Sequence, residues 1–387
     1  MTHRPHVILE SLQVRGNPTG TGRGIMDLCS ALAERDRGLD FTVLTTERGV
    51  FHELEDRPGW RVRECPQARG GSLRKALYTQ FRLPGLVRSL DGDLLHSMQF
   101  LVPLRSPCPV VATVHDLAWL LFPETIEEPR RSYYRWMVPR SLERVDAIVA
   151  NSRSTAADTA RFFPGTADKI HLTPHGTPRW VLDRVCEETQ TPPPGMRPFF
   201  LFVGTLEPRK NLPRLIDAYE TFLASDQVRK VPDETVPDLV LAGGRGWKDS
   251  RLRGRIEDLR GRGRLRVLDY CSLDDLWNLY CSALALVFPS LNEGFGLPIL
   301  EAMAAGLPVL TADRSGTAEV AGNKALLVDP ENVENIANGL ARLAFDGDLL
   351  AKLAAEGPDR AREWSWSRTA DLTVSVYHQL LDPVQFK

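Results

Sequence analysis

Three features that mark particular classes of protein are scarce in this chain of 387 residues. Its six cysteines are scattered, with no Cys-x-x-Cys pair and no Cys/His pairing, which argues against a disulfide framework or a zinc site. No apolar run approaches the roughly 20 residues that span a bilayer, and the opening MTHRPHVILE lacks the long apolar region of a signal peptide. We therefore expect a protein of the reducing cytoplasm.

An excess of charge of one sign is also missing. The chain carries 48 Lys and Arg against 50 Asp and Glu, so nucleic acid is not a predicted partner. The arginine-rich run from Arg251 to Arg266 has no aromatic residues on which bases could stack, and it is interpreted as an exposed helix and loop. The remaining composition, 43% hydrophobic and 25% charged, is ordinary and suffices for two or three domains.

Short apolar runs with β propensity alternate with amphipathic segments of helix length in both halves of the chain. This alternation is typical of α/β proteins, in which helices cover both faces of a parallel sheet. The strand candidates are HVILES, FTVLTT, DLLHSM, VVATVHD, AIVANS and KIHLTP in the first half, and FFLFVGT, DLVLAGG, LRVLDY, ALALVFPS, LPVLTA and ALLVDP in the second. We predict two doubly wound sheets.

A proline-rich segment separates the two halves. It reads VCEETQTPPPGMRP, and its three consecutive prolines forbid regular structure, so we place the domain boundary there, near Gln190. The predicted organisation is an N-terminal Rossmann-like domain over 1–190, a C-terminal Rossmann-like domain over 191–365, and a last helix over 366–387.

The segment NEGFGLPILEAM leaves a predicted strand, turns through Gly294 and Gly296, and enters a helix with Pro298 near its start. Glycine lets the backbone approach a ligand, and the N–H groups at a helix start favour an anion, so a phosphate is the expected ligand. Glu293 and Glu301 flank this turn and are apt acceptors for sugar hydroxyls. On these residues alone, a second interpretation stays open, in which Glu301 complements the helix dipole and Glu293 caps the turn.

A basic pair follows another predicted strand. In FFLFVGTLEPRKN, Gly204 ends the strand, and Arg209 and Lys210 precede the next helix. Because ligands of open parallel sheets collect beyond the carboxyl ends of the strands, this pair should face the same ligand as the glycine turn, and two cations suit a diphosphate. The triplets Asp91-Gly92-Asp93 and Asp346-Gly347-Asp348 have the Asp-x-Asp form of metal sites, but their positions favour turn chemistry.

These motifs together resemble the retaining nucleotide-sugar glycosyltransferases of the GT-B fold, the large family-four group. The resemblance is carried by EGFGLPILEAMAAGLPV with its Glu-x7-Glu spacing, by FVGTLEPRKN and ALLVDPENVENIANGL, and in the first half by NPTGTGRGIMDL, TVHDLAWLLFP and AIVANSRSTAADTARFF. It covers nearly the whole chain and is strongest in the second half. Within the group, the chain is most similar to bacterial mannosyltransferases that build surface polysaccharides.

The resemblance implies a role for each matching residue. Glu301 would bind the ribose hydroxyls of the donor, Glu293 the transferred sugar, and Arg209 with Lys210 the diphosphate. His115 of TVHD would lie near the reacting carbon. The further donor-binding residues implied are Gly20, Gly22, Gly204, Tyr270, Cys271, Ser272, Leu276, Gly294, Phe295, Gly296 and Leu297.

The resemblance also implies the reaction. A hexose would pass from a nucleoside diphosphate sugar to a glycan or lipid-linked acceptor with retention of configuration and without metal, and the enzyme would need no resident cofactor. GDP-mannose is the first-choice donor, followed by UDP-glucose and UDP-N-acetylglucosamine. The N-terminal domain would serve the acceptor, the C-terminal domain would bind the donor, and the last helix would pack back on the N-terminal domain, with Trp364 and Trp366 as packing residues.

Several alternatives stay open. A nucleotide-sugar epimerase or a non-catalytic sugar-nucleotide sensor would keep the same donor site, whereas TGTGRG is too irregular a glycine motif to favour an NAD enzyme. His96 is considered as a wall of the acceptor site, and the role of His175, where relatives commonly carry asparagine, is open. The basic aromatic segment Arg130–Arg144 is interpreted as a solvated helix face with its aromatic residues packed inward, with membrane contact as the alternative.

Overall fold

The computed structural model describes residues 4–16, 18, 20–186, 197–205, 207–243, 250–269 and 271–382. The chain divides into two units, the first made of Met1–Gly176 with Ser365–Lys387 and the second of Thr177–Trp364. It passes into the second unit after Gly176, earlier than the boundary expected near Gln190, which itself lies outside the described residues. It returns to the first unit between Trp364 and Ser365.

The first unit is built on a seven-stranded parallel sheet with the strand order β3-β2-β1-β4-β5-β6-β7. The strands are β1 (His6–Glu10), β2 (Asp40–Thr45), β3 (Trp60–Glu64), β4 (Leu94–Ser97), β5 (Val110–Val114), β6 (Ala147–Ala150) and β7 (Ile170–Leu172). The helices are α1 (Gly20–Ala33), α2 (Ser72–Leu77), α3 (Leu83–Ser89), α4 (Ala118–Leu121), α5 (Arg130–Arg144) and α6 (Arg153–Phe162), together with the last helix of the chain, α16 (Trp366–Leu381).

Residues of the central strands alternate between two separate cores. In β1, Val7 and Leu9 belong to one core and Ile8 to the other, as expected when successive side chains point to opposite faces. The first core is closed by α1 and α16, and the second by α3 and α5. Both faces of the sheet are therefore covered by helices, which is why its strands are apolar runs.

All six strands predicted for this half are confirmed, but β3 was not predicted. Its sequence, WRVRE, alternates a buried or half-buried residue with an exposed one, because it lies at the edge of the sheet. Because two arginines and a glutamate occupy three of its five positions, it lacks the apolar run that identified the other strands.

The second unit holds a six-stranded parallel sheet with the order β10-β9-β8-β11-β12-β13. Its strands are all six that the sequence predicted: β8 (Phe199–Val203), β9 (Asp238–Ala242), β10 (Leu265–Leu268), β11 (Ala285–Phe288), β12 (Val309–Ala312) and β13 (Leu326–Val328). Its helices are α7 (Arg179–Leu182), α8 (Leu212–Leu223), α9 (Asp226–Arg229), α10 (Ser250–Gly261), α11 (Leu273–Ser282), α12 (Leu297–Ala304), α13 (Ser315–Ala321), α14 (Val333–Phe345) and α15 (Gly347–Arg362).

The strand order of the second sheet reverses direction between β8 and β11, which are neighbours. The loops that leave these two strands carry Arg209 with Lys210 and Glu293, respectively. Such a reversal is the place where open α/β sheets bind ligands, because the two loops diverge and leave a crevice.

One expectation about the cysteines is wrong. Cys186 and Cys281 form a disulfide, with their Cα atoms 5.6 Å apart, although 95 positions separate them in sequence. The bond joins the segment after α7 to the end of α11. Spacing could not reveal it, because the two cysteines approach each other only through the folding of the second unit.

Within the described residues, no helix combines the length and the apolar character needed to cross a membrane.

Candidate active site

The basic turn after β8 is fixed by an asparagine in the left-handed conformation. Pro208–Lys210 forms a 3-10 turn, and Asn211 follows it with φ of 62°. The Asn211 Nδ2 group donates to the carbonyl oxygens of Pro289, at 3.0 Å, and Pro330, at 2.6 Å. These prolines follow β11 and β13, so one amide group ties the basic turn to two other loops at the carboxyl edge of the sheet.

Both basic residues of the turn bind the carboxylate of Glu293. Arg209 Nη1 lies 2.5 Å from its Oε2 atom, and Lys210 Nζ lies 2.6 Å from its Oε1 atom. Glu293 and Lys210 are each only 7% exposed. Burial alone would raise the pKa of Glu293, but the two cations outweigh burial and lower this pKa to about 2. The switch point thus holds a charged, buried cluster.

The position of each cation is further determined by its other neighbours. Arg209 Nε donates to Glu207 Oε2 at 3.0 Å, and the ammonium of Lys210 lies 4.7 Å from the centre of the Phe288 ring. Burial lowers the pKa of Lys210, while the nearby Glu293 opposes that shift. The two cations are therefore oriented before any ligand arrives.

The glycine turn between Glu293 and α12 packs directly against the start of α13. Gly296 has φ of 108°, a left-handed conformation that favours glycine. A Cβ atom on Gly316 would lie 2.5 Å from the carbonyl oxygen of Gly294, so this approach also needs a glycine. The Gly316 N–H donates to the carbonyl of Glu293 at 3.0 Å, and the Glu293 N–H donates to Ser315 Oγ at 3.2 Å.

Glu301 lies one turn into α12, as predicted, and is 4% exposed. Its Oε2 atom accepts a hydrogen bond from the Tyr280 hydroxyl at 2.7 Å, and its Oε1 atom accepts one from Trp180 Nε1 at 3.2 Å. The side chain is therefore directed toward α11 and α7. Helix-dipole complementation does not account for these two contacts.

The loop predicted to hold the base precedes α11. Tyr270 lies outside the described residues. Ser272 caps the helix in a capping box with Asp275, in which the serine hydroxyl and N–H both contact the aspartate. Leu276 is buried one turn later, and Cys271 Sγ donates to the carbonyl of Asp269 at 3.6 Å. The cap thus fixes how this loop enters α11.

In the first unit, His115 follows β5 at the carboxyl edge of the sheet. Its Nε2–H donates to the carbonyl of Met98 at 3.0 Å, which leaves Nδ1 as the unprotonated nitrogen. Burial lowers the pKa of His115, so the ring is neutral at pH 7. The Nδ1 atom and Asn151 Oδ1 are both buried without a hydrogen-bond partner among the described residues. Both side chains line one small cavity, together with His175.

The glycine motif of the first half opens α1. The helix begins at Gly20, which is exposed, and a Cβ atom on Gly22 would lie 2.8 Å from Pro18 Cβ. Both glycines belong to the first unit, whereas Arg209 and Glu293 belong to the second. That the two groups meet at one donor stays a prediction.

Comparison with known proteins identifies the family. A model described as glycosyltransferase family 4 matches residues 18–179, and one described as glycosyl transferases group 1 matches residues 186–360. The O-antigen chain mannosyltransferase B of Escherichia coli is 31% identical over 298 residues, which cover 76% of each chain. The chain belongs to glycosyltransferase family 4. It is thus a glycosyltransferase of a retaining hexosyltransferase family, as the motifs predicted.

Solved structures show that this glycosyltransferase has the GT-B fold. A sucrose-phosphate synthase from Thermosynechococcus elongatus matches with a TM-score of 0.71 at 20% identity, over 98% of this chain and 100% of that one. The Anabaena protein HepE, solved in complex with UDP and glucose, matches with a TM-score of 0.68 at 19% identity, over 97% and 100% of the two chains.

Two secondary interpretations of the glycosyltransferase sequence are settled by local contacts. Asp93 accepts a hydrogen bond from the His6 N–H at 2.8 Å, and Asp346 caps α15, so both Asp-x-Asp triplets serve turns, as predicted. His96 is not a wall of a site. It is fully buried, and its two ring nitrogens contact the Tyr377 hydroxyl, at 2.6 Å, and Thr113 Oγ1, at 2.8 Å.

The predicted packing roles of the aromatic residues hold with one exception. Trp366 is buried against His175, with ring centres 5.1 Å apart, and Trp364 meets Phe295 edge-on at 5.2 Å. In α5, Tyr134 is buried as expected, but Trp136 is 54% exposed. The Arg140 guanidinium lies over this exposed ring, 4.8 Å from its centre.

Sequence reasoning missed four residues of the second unit that contact the two glutamates. Ser315 and Gly316 bind the backbone of Glu293, and Trp180 and Tyr280 bind the side chain of Glu301. The Ser-Gly pair after the predicted strand LPVLTA was a usable signal, since it lies at the same sheet edge. Nothing local distinguished Trp180 and Tyr280 from ordinary core aromatics.

Proposed function

We propose that this glycosyltransferase transfers a hexose, with mannose as the first choice, from a nucleoside diphosphate sugar to a glycan or lipid-linked acceptor. The observation that carries the proposal is the pair Arg209 and Lys210, the first half-buried and the second buried, held at the switch point beside the start of α12. The mannose assignment is supported by the name of the E. coli relative, and GDP-mannose is therefore the first donor to test. UDP-glucose and UDP-N-acetylglucosamine follow, since HepE was solved with UDP and glucose.

The proposed chemistry breaks the bond between sugar C1 and the donor phosphate oxygen and forms a bond between C1 and an acceptor oxygen on the same face. The acceptor proton passes to the departing phosphate, so no enzymic nucleophile is needed. Negative charge grows on the leaving diphosphate, where Arg209, Lys210 and the start of α12 stabilise it without a required metal. Glu293 would contact the transferred sugar, and His115 would lie near C1.

The contacts of Glu293 indicate how a diphosphate would bind to the two cations. Its carboxylate already contacts both cations, and an incoming diphosphate, with a higher charge, would compete for them. We infer that the donor takes over these contacts and frees the carboxylate to face the sugar hydroxyls. Both cations then keep an anionic partner throughout binding, which avoids the penalty of leaving them uncompensated.

A ligand panel tests the donor. In thermal-shift experiments, the nucleoside diphosphate of the true donor at 100 times its Kd should stabilise the second unit by about 2.7 kcal/mol. An assay of transfer and donor hydrolysis then separates three functions. A glycosyltransferase forms a glycoside, an epimerase releases nucleotide without forming one, and a sensor binds the donor without turnover. Loss of transfer in EDTA that magnesium or manganese restores would reject metal independence.

Contact with a membrane surface is also part of the proposal, but it is better supported by residues 73–81, which begin in α2, than by the segment Arg130–Arg144. Leu73, Leu77 and Phe81 recur every four residues and are 73%, 51% and 76% exposed. No acidic residue occurs between Glu64 and Asp91, whereas the cations there are Arg69, Arg74, Lys75, Arg82 and Arg88. Exposed apolar residues in a stretch with a local excess of cations suit an anionic lipid surface, such as the cytoplasmic face of a membrane, where we place the enzyme.

Vesicle sedimentation tests this contact. The protein should sediment with phosphatidylglycerol vesicles and much less with phosphatidylcholine vesicles. The double substitution Leu77→Asn with Phe81→Asn should reduce sedimentation at least several-fold, because it removes two apolar anchors. Leu182→Asn, which changes a leucine of the second unit that is 51% exposed, is the matched control and should have no effect. Equal loss in both variants would remove the case for this surface.

A further inference from the structure

We propose that Tyr280 and Trp180 position the Glu301 carboxylate so that it recognises the ribose of the donor, and that they thereby set the preference for ribonucleotides over deoxyribonucleotides. The inference rests on the proposed function. It adds two positioning residues, neither of which was predicted from the sequence.

The contacts to Glu301 orient both of its oxygens. The Tyr280 hydroxyl lies 2.7 Å from Oε2, and Trp180 Nε1 lies 3.2 Å from Oε1. The Tyr280 hydroxyl and the Trp180 N–H are both donors here. A carboxylate offers about four acceptor positions, so it can accept from several donors at once. Two adjacent ribose hydroxyls are a matching pair of additional donors.

Burial makes this orientation important. Glu301 is 4% exposed and Tyr280 is 1% exposed, so water cannot replace a missing donor easily. The Trp180 ring is itself held between aromatic neighbours, with its centre 6.3 Å from that of Trp277 and 6.5 Å from that of Tyr280. The carboxylate therefore lies in a fixed setting rather than on a mobile surface side chain.

The segment that carries Trp180 is tied to α11 in two further ways. Arg184, two residues after the end of α7, binds Asp274 at 2.6 Å, and its guanidinium lies over the Trp180 ring, 5.5 Å from the centre. Cys186 is joined by its disulfide to Cys281, the residue next to Tyr280. Leu276, at the predicted base site, and Tyr280 are one turn apart on α11. The same helix thus supports the proposed base and ribose contacts.

Competitive binding of ribo and deoxyribo ligands tests the proposal. The Kd values of UDP, GDP and their 2′-deoxy forms are measured by calorimetry for the wild-type protein and for Tyr280→Phe. The loss of one hydrogen bond to a charged acceptor should raise the Kd of the preferred ribonucleotide about tenfold. The Kd of its 2′-deoxy form should change less than about twofold, so the preference for ribose falls about fivefold or more. Trp180→Phe should act in the same direction, about threefold.

Two controls separate positioning from general damage. Tyr219→Phe removes another buried hydroxyl of the second unit, one that donates to the carbonyl of Pro237, and it should leave the preference unchanged. In a Glu301→Ala background, Tyr280→Phe should have no further effect on the preference, because the tyrosine acts through the glutamate.

The possible failures are distinguishable. If the wild-type protein prefers ribonucleotides but Tyr280→Phe weakens both forms equally, or still changes the preference without Glu301, the positioning role is wrong and the proposed function stands. If the wild-type protein binds neither UDP nor GDP, both proposals are wrong.

Discussion

The two units hold their buried ionisable side chains in opposite ways. In the second unit, Glu293 stays charged because Arg209 and Lys210 neutralise it at close range. In the first unit, burial keeps histidines neutral and lowers the pKa of His96 and of His175 to about 3. A charged cluster can exchange one ionic partner for another, whereas a neutral buried histidine can only lose stability on protonation. We therefore expect the second unit to respond to anionic ligands and the first to pH.

The largest expected effect breaks the charged cluster. Glu293→Ala leaves two partly or fully buried cations without their carboxylate, and should destabilise the second unit by about 3–5 kcal/mol in chemical denaturation. Inorganic pyrophosphate should restore more stability to this variant than to the wild-type protein, because the anion replaces the lost charge. Glu257→Ala, which removes an exposed partner of Arg260, should cost less than about 1 kcal/mol. Equal responses to pyrophosphate would contradict the exchange of ionic partners.

Arg209→Ala should affect catalysis more than folding. Lys210 still pairs with Glu293, so the fold should persist, whereas the loss of one stabilising donor should lower kcat about 100- to 1,000-fold. Steady-state kinetics with the identified donor measure the effect. Arg229→Ala, at an exposed arginine of the same unit, should keep normal turnover. An Arg209→Ala enzyme that keeps most of its rate would refute the assigned role.

Both cysteines of the disulfide lie in the second unit, so a reductant should affect the stability of the two units differently. Bonds of this kind typically contribute about 2–4 kcal/mol, so a phosphine reductant should destabilise the second unit by that amount and leave the first unit unchanged. The double variant Cys186→Ser with Cys281→Ser should show the unfolding midpoint of the reduced wild-type protein, both with and without the reductant. A reductant effect that persists in this variant would come from somewhere other than this bond.

The smallest effect tests the neutral histidines. Burial lowers the pKa of His175 from 6.5 to about 3 in the folded protein. Such a histidine contributes its full stabilisation above pH 6.5, and this contribution is lost as the pH falls below that value. The loss at pH 5 is about 2 kcal/mol for each such histidine. His175→Asn should therefore reduce the drop in first-unit stability between pH 7 and pH 5 by about that amount. His52→Asn, at an exposed histidine, should not change it.

Local sequence patterns correctly predicted the features that depend on neighbouring residues. Twelve predicted strands match strands of the structure, because each lies in a short apolar run. The edge strand β3 escaped because charged residues occupy three of its five positions. The glycine turn and the helix that carries Glu301 were also predicted correctly, since glycine and the helix start leave local signals.

Long-range partners left no such signal. Arg209 and Glu293 are far apart in sequence, and they meet because β8 and β11 are neighbours in the sheet. For His96 the local signal was misleading. Its position near a strand end suggested a site, but its contacts with Tyr377 and Thr113 make it a core residue.

The sequence by itself determined the α/β class, the family and the residue types at the sheet edges, because periodicity, glycine turns and motif order are properties of neighbouring residues. Only the tertiary structure decided that Glu293 is an ion-pair partner of both cations and that Glu301 is held by Tyr280 and Trp180. The physical reason is that hydrogen bonds and ion pairs depend on distances of about 3 Å, and strand order sets those distances between segments that are remote in the chain.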